Sequence, residues 1–270
     1  MIGLLSVISE PPFHSIGFVR IYGITMAMGI AAATFIAHRR YSRTHNGSTA
    51  ILDMFLPTVI SGIIGARLYH LFTGYDWDSQ GIAGIIKLRN GGLSIWGAVA
   101  VGALAVFIQA RIKKISFLEL GDAIIPGLLV AQAIGRVGNY FNQELYGREL
   151  HAPWALRVDE YYRPLGLENV ATYHPTFLYE ALWCLILAAV VVFCEKKVSG
   201  WSRGQTLALY ISLYCAGRTI FEWLRIDTAT ELFGVRFNLL LSAVLCCAGT
   251  AWFIYLMISQ HKVRIRSNTQ

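Results

Sequence analysis

AIIPGLLVAQAIGRVGNYFNQELYG, residues 123–147, holds the contrast that organises this chain. Its first half is almost purely apolar. Then Arg136, Asn139, Asn142, Gln143 and Glu144 follow within a few residues, bracketed by Gly135 and Gly147. An apolar run of this length reads as a helix in lipid, and an arginine sunk before its end needs a reason.

The rest of the composition agrees with a membrane setting. The 270 residues are 55% hydrophobic and only 14% charged, against about 25% charged in ordinary soluble domains. Mean hydropathy is +0.51. Membrane spans need about 20 mostly apolar residues each. Seven such segments can be marked, near 17–38, 50–72, 92–110, 120–138, 175–194, 204–222 and 237–259. Lipid admits only helices or closed barrels, and these runs are too long and continuous for barrel strands. The expected fold is an all-α integral membrane protein, one domain over residues 1–270. It is a bundle of about seven transmembrane helices with a small external subdomain at about 139–174. Residues 73–91 form a second external segment.

Lysines and arginines set the orientation. The segments after spans one, three, five and seven carry twelve: Arg39, Arg40, Arg43, Arg111, Lys113, Lys114, Lys196, Lys197, Arg203, Lys262, Arg264 and Arg266. The other side carries seven: Lys87, Arg89, Arg148, Arg157, Arg163, Arg225 and Arg236. The positive-inside rule then puts the N-terminus outside and the C-terminus in the cytoplasm. It also accounts for the net charge of +7, so no nucleic-acid partner is expected. Residues 1–16 lack a basic start and contain Glu10, Pro11 and Pro12. No cleavable signal peptide is expected, and the first span serves as its own insertion signal. Cys184, Cys194, Cys215, Cys246 and Cys247 lie in apolar stretches without metal-ligand spacing and read as free thiols.

Four arginines remain inside or at the edge of spans: Arg20, Arg67, Arg136 and Arg218. A charge at the bilayer centre costs about 3 kcal/mol on insertion scales and more in simulations, so such residues face protein and often mark function. The derived orientation puts all four towards the outer ends of their spans, with Glu180 and Glu222 at the same side. Asp53 and Asp122 lie near inner ends. Arg67 and His70 share a helix face, as do Arg136 and Asn139. Arg218, Glu222 and Arg225 follow one stripe. Guanidinium suits phosphate because its planar fork makes paired hydrogen bonds and keeps its charge. One such arginine is most simply a snorkelling or structural residue. Four at one depth, with Asn, Tyr and Glu, point to a phosphate or phospholipid site.

Other stretches are weaker. The small residues of SGIIGA, 61–66, allow close helix packing. GGLSIWG, 91–97, places Trp96 at interface depth, where Trp is a common anchor. HPTFLYE, 174–180, reads either as a capped helix start or as His174 and Glu180 lining the site.

GRVGNYFNQELYGRE closely resembles the signature of the prolipoprotein diacylglyceryl transferase family, roughly G-R-x-G/A-N-F-x-N-x-E-x-x-G. Tyr140 stands where Phe is usual. Arg20-Ile21-Tyr22-Gly23 resembles the family's R-x-Y-G, and Gly65-Ala66-Arg67-Leu68 its G-A/G-R-L. Asp122 with Pro126 resembles D-x-x-x-P. His174-Pro175-Thr176 with Leu178-Tyr179-Glu180 resembles H-P-S/T-x-L-Y-E, and Arg218, Glu222 and Arg225 resemble R-x-x-x-E-x-x-R. The resemblance implies a seven-span enzyme of the bacterial inner membrane. It would transfer the diacylglyceryl group of phosphatidylglycerol to the lipobox cysteine of a preprolipoprotein and release glycerol phosphate. One position departs. Many members carry His after G-G-x-S-F, where this chain has Trp96, which cannot take a proton. Tyr22, Glu144, Glu222, His174 or the lipid phosphate remain as alternatives for the base.

On this resemblance the expected catalytic set is Arg136, Arg218, Glu222, Tyr22 and Glu144. Arg136 and Arg218 hold the phosphate, and Glu222 aligns Arg218. The expected substrate-binding set is Arg136, Asn139, Asn142, Gly147, Arg67, His174, Glu180, Arg20 and Arg225. Neither cofactor nor metal is implied, and a monomer is expected. The rival class is a transporter or lipid flippase, which would want midplane charges and often internal repeats. The charges here are one-sided, and no repeat is evident.

Overall fold

The structure is a computed structural model that describes residues 7–73 and 94–268. The segment expected outside at 73–91, with Lys87 and Arg89, lies almost wholly outside the described residues, as do Gly91 and Gly92 of the 91–97 stretch. Seven α-helices are described: α1 (Ile21–Thr44), α2 (Ala50–Thr73), α3 (Ile95–Ile112), α4 (Phe117–Asn142), α5 (Thr176–Lys197), α6 (Gln205–Leu224) and α7 (Phe237–Asn268). Five of them hold a stretch long and apolar enough to cross a membrane: Ile21–Thr44, Ala50–Phe72, Phe117–Asn142, Thr176–Lys197 and Phe237–Gln260. Trp96–Ile112 is apolar but shorter. The polarity of α6 sits on its buried side, with Gln205, Thr206, Ser212 and Glu222. The chain is thus an all-α multi-pass membrane protein. Its large apolar side chains stay exposed along the helices, Phe35, Leu56, Phe193 and Val244 among them. Lipid, unlike water, does not drive such side chains inward.

Three helices overrun the apolar runs that announce them. α1 continues to Thr44, α4 spans Phe117–Asn142, and α7 reaches Asn268. Lys, Arg, Glu and Gln are good helix formers, so a helix need not stop where hydropathy does.

The chain packs as two compact units: residues 1–37 with 124–270, and residues 38–123. The boundaries fall inside α1 and α4. In the smaller unit, α2 and α3 approach closely. A Cβ added to Gly65 would lie 2.5 Å from the carbonyl oxygen of Gly97, and one added to Gly97 would lie 2.1 Å from that of Gly65. The small residues of 61–66 serve close packing, as their pattern predicts. On the same pair, Gln109 donates to Thr58 Oγ1 at 3.1 Å and Lys113 to Asp53 at 3.0 Å.

In the larger unit, Ile125, Leu129 and Ala133 of α4 form a core with Cys184, Leu187 and Val191 of α5. The stretch between α4 and α5 is folded. The two-residue strands β3 (Leu156–Arg157) and β4 (Thr172–Tyr173) pair antiparallel. Tyr146, Leu156, Val158 and Tyr173 make a small core beneath them. The Tyr146 hydroxyl donates to the carbonyl of Tyr162. Burial, with Tyr173 next, pushes the Tyr146 phenol up to about 12, so it keeps that proton. Two hairpins lead directly into helices: Ser15–Ile16 with Val19–Arg20 before α1, and β5 (Glu231–Leu232) with β6 (Val235–Arg236) before α7.

Candidate active site

The site is built at the end of α4, where the sequence turns polar. Arg136 and Asn139 are one turn apart, and Arg136 donates to Asn139 Oδ1 at 3.4 Å. The Asn139 amide donates to Glu144 Oε1 at 2.8 Å, and Asn142 donates to the same oxygen at 3.1 Å. The helix can end this tightly because Gln143 and Leu145 take left-handed backbone angles, φ 49° and 59°. Gln143 is buried and accepts from the Asp159 N–H at 2.7 Å, which anchors the turn to the folded stretch beyond it.

Gly147 then lets three segments meet. Its N–H donates to the His174 carbonyl at 2.9 Å, and the next N–H, of Arg148, donates to Leu224 O at 3.0 Å. A Cβ at Gly147 would lie 2.8 Å from that of His174 and 3.1 Å from Leu224 O. Glycine is required there for close approach rather than for a positive φ. Thr176 Oγ1 donates to the Leu145 carbonyl, and Arg148 lies 4.2 Å from the Trp223 ring centroid. The polar turn thereby clamps the start of α5 to the end of α6.

That clamp brings charges from three helices together. Glu180 of α5 is almost fully buried, and its Oε2 lies 2.5 Å from Arg136 of α4 and 3.2 Å from Arg218 of α6. Arg218 turns its other nitrogen to Glu222, one turn on, at 2.6 Å. Glu222 is completely buried. It also lies 3.6 Å from Arg225 and accepts from Arg236 at 2.9 Å. Asp227 receives both Arg225 (2.7 and 2.8 Å) and Arg236 (3.2 Å). Burial pushes the Asp227 carboxyl up, but the two guanidiniums more than offset this and hold it below its ordinary value. Four arginines thus meet three carboxylates directly in a largely water-excluded place, and a fourth carboxylate, Glu144, is joined to Arg136 through Asn139. Glu180 Oε1 is buried with no hydrogen-bond partner among the described residues. Glu180 also lines a small recess with Trp183, Cys184, Tyr214, Arg218 and Phe221.

Small residues let the helices pack closely around the cluster. A Cβ at Gly217 would lie 2.2 Å from Trp183 Nε1, so the indole lies flat against α6 beside Arg218 and donates to Leu213 O at 3.1 Å. A Cβ at Gly138 would lie 2.8 Å from the Tyr22 ring, which places Tyr22 of α1 against α4 next to Asn139. Tyr214 stacks on Tyr210, which accepts from Gln132 at 2.9 Å, so a polar ladder runs along α6 away from the arginines.

The family profile of prolipoprotein diacylglyceryl transferase matches residues 11–255. The chain belongs to the prolipoprotein diacylglyceryl transferase family. It is 42% identical over 243 residues to a phosphatidylglycerol–prolipoprotein diacylglyceryl transferase of Corynebacterium diphtheriae, covering 84% of this chain and 85% of that one. A second such protein of Streptomyces coelicolor is 40% identical, covering 86% of this chain and 76% of the relative. One from Corynebacterium efficiens is 40% identical, covering 88% and 78%.

The signature of this diacylglyceryl transferase family, as it stands at 135–147, is therefore the end of α4 and the turn that follows it. The structure joins Arg136, Asn139, Asn142, Glu144, Glu180, Arg218, Glu222 and Arg225 in one hydrogen-bonded and ion-paired set. Gly147 and Tyr22 pack against its edges. Other expected residues stand elsewhere. Arg20 is placed by the sequence inside the first span, but it is exposed on the second strand of a hairpin that ends before α1. Hydropathy alone cannot separate a two-residue strand from a helix start. His174 lies before α5, and its ring nitrogen is 3.3 Å from the Tyr179 hydroxyl. Burial and then nearby Arg148 hold the imidazole below its ordinary value, so it is neutral at pH 7. Arg67 is buried in the smaller unit, and Trp96, on α3 of the same unit, is exposed. Arg236 and Asp227 were not among the expected site residues, because both lie outside the spans: Asp227 meets Arg225 two residues away, and Arg236 reaches Glu222 only through the hairpin. Their signal was weak: an arginine immediately before an apolar helix.

Proposed function

We propose that the cluster around Glu180 is where this transferase holds the phosphate of phosphatidylglycerol and passes its diacylglyceryl group to a lipobox cysteine. The observation that carries the reading is the convergence of Arg136 and Arg218, from different helices, on one buried carboxylate oxygen. Each guanidinium has five N–H donors, and the contacts described leave donors over for a ligand. Those remaining N–H donors suit the oxygens of a phosphodiester. Glu180 Oε1 is available to accept from a hydroxyl of the glycerol headgroup.

The reaction is a displacement at carbon. The cysteine sulfur of the peptide forms a bond to the glycerol carbon that carries the phosphate, and that C–O bond breaks. The thioether product keeps the diacylglyceryl group, glycerol phosphate leaves, and the thiol proton balances the charge the leaving phosphate gains. Fixed cations around a developing anion lower such a barrier, and one well-placed donor is worth about 3 kcal/mol. Arg136 and Arg218 supply that field. Glu222 and Asn139 hold their direction, with Glu144 and Asn142 securing Asn139. The positive field also favours thiolate, which a free cysteine with a pKa near 8.5 forms only in part at neutral pH. Tyr22, Arg225 and Gly147 edge the cluster, and His174 and Arg20 are further headgroup contacts. The nucleophile belongs to the peptide. The site opens towards the outer leaflet of the bacterial inner membrane, with the N-terminus outside, and the chain acts as a monomer.

The test is direct. Purified protein is incubated with phosphatidylglycerol and a lipobox peptide, or the same peptide with Ser in place of Cys. A diacylglyceryl mass gain on the Cys peptide alone supports the reading. No gain on either peptide by folded protein overturns it and favours transport or binding.

A further inference from the structure

Arg236 is the best-connected side chain that the reaction above does not use. It ends β6, one residue before α7 begins, and only about a sixth of its side chain is exposed. Its Nε donates to Glu222 Oε1 at 2.9 Å. One terminal nitrogen donates to the carbonyls of Asp227, at 2.8 Å, and Arg225, at 3.3 Å. The other reaches Asp227 Oδ2 at 3.2 Å. Arg236 therefore occupies one oxygen of Glu222, while the other oxygen of that carboxylate lies 2.6 Å from Arg218. Asn238, two residues on, gives only a long contact to the same Oε1 at 3.5 Å.

A carboxylate that is completely buried can rotate about its terminal bond unless both oxygens are held. Glu222 comes from α6 and could pair with Arg218 or Arg225, both on its own stripe. Arg236 breaks that choice. By taking Oε1 from the α7 side, it leaves Oε2 directed at Arg218, while Asp227 draws the Arg225 fork away through two hydrogen bonds. Groups that orient a catalytic cation matter because small misplacements cost rate rather than binding.

We propose that Arg236 is a positioning residue: held by the hairpin before α7, it fixes Glu222 and thereby aims Arg218 at the departing phosphate. This rests on the reading that Arg218 stabilises that phosphate. Lysine has no fork and can serve Glu222 or Asp227 but not both together with the two carbonyls.

The experiment is a kinetic cycle on folded, full-length protein with phosphatidylglycerol and the lipobox peptide. Arg236→Gln is expected to lower kcat tenfold or more, equivalent to about 1.4 kcal/mol or more, with KM for phosphatidylglycerol within about twofold of wild type. Arg236→Lys is expected to recover part of the loss. In a Glu222→Gln background, Arg236→Gln is expected to change kcat less than twofold, because the residue it acts through is already gone. Equal losses in both backgrounds, a raised KM with kcat intact, or full kcat in the folded fraction would each overturn the proposal. Where Arg236→Gln does not fold, Arg236→Lys is measured through the same cycle, with a smaller loss that again vanishes in the Glu222→Gln background. Arg218→Lys separates the two levels. If it keeps wild-type kcat, the reading of the site fails. If it loses kcat while the Arg236 variants do not, only the present inference fails.

Discussion

Glu180→Gln removes one charge from the centre of the cluster with almost no change of shape, and its effect can be worked from the geometry. Glu180 Oε2 is the shared partner of Arg136 at 2.5 Å and Arg218 at 3.2 Å, and the Glu180 side chain is 5% exposed. Breaking a buried ion pair by neutralising one member costs about 3–5 kcal/mol, since the other charge stays buried. Here two guanidiniums stay, and they then repel. At roughly 5 Å and an effective dielectric of about 20, that repulsion is about 3 kcal/mol. The amide oxygen of Gln still accepts one hydrogen bond, which returns about 1 kcal/mol, so a net loss of about 5 kcal/mol is expected. The assay is thermal unfolding in nanodiscs of phosphatidylcholine, repeated with phosphatidylglycerol. In phosphatidylcholine the variant should unfold several degrees below wild type. Phosphatidylglycerol should restore more of the variant's Tm than it adds to wild type, because its phosphate supplies the missing negative charge. An unchanged Tm in phosphatidylcholine, or equal protection of both proteins by phosphatidylglycerol, would refute the shared-counterion reasoning.

Three further outcomes follow from the same geometry. Gly147→Ala puts a methyl group 2.8 Å from His174 Cβ and 3.1 Å from Leu224 O, and overpacking of this kind costs about 1–3 kcal/mol, readable as a lower Tm together with lost transfer activity. Replacing all five cysteines with Ala or Ser should leave lipid transfer intact, although Cys184 lines the recess; total loss with intact folding would show that the chain supplies a thiol. His174 has a lowered folded-state value, so the unfolded chain binds its proton more readily. Its contribution to stability is complete above about pH 6.5, the ordinary His value, and is lost as pH falls through the lowered one. Unfolding followed from pH 7.5 to 5 should show that loss in wild type and less of it in His174→Gln.

The helices were legible because lipid forces a simple pattern on the chain: long apolar runs, with Lys and Arg gathered beside them. Arg218 and Glu222 were legible as a pair because four-residue spacing puts them on one face, and they do meet at 2.6 Å. What spacing could not show is a contact between helices. Glu180 was read equally as a helix cap or a site residue, and only the packing of α4, α5 and α6 makes it the shared partner of two arginines. Arg236 escaped for the same reason at longer range, since a hairpin folds it back onto Glu222, and Asp227 joins the cluster through Arg225 and Arg236. Arg20 was read as part of a span because Val, Ile and Tyr around it are as apolar as a helix start, yet the chain pairs two strands there first.

The central claim is that paired hydrogen bonding by Arg136 and Arg218, and not positive charge alone, drives departure of the phosphate. Arg136→Lys keeps the charge and removes the fork. Its kcat for diacylglyceryl transfer from phosphatidylglycerol to a lipobox peptide, measured on protein shown to be folded, should fall about a hundredfold, in line with the loss of one transition-state donor. Wild-type kcat in that variant would contradict the account.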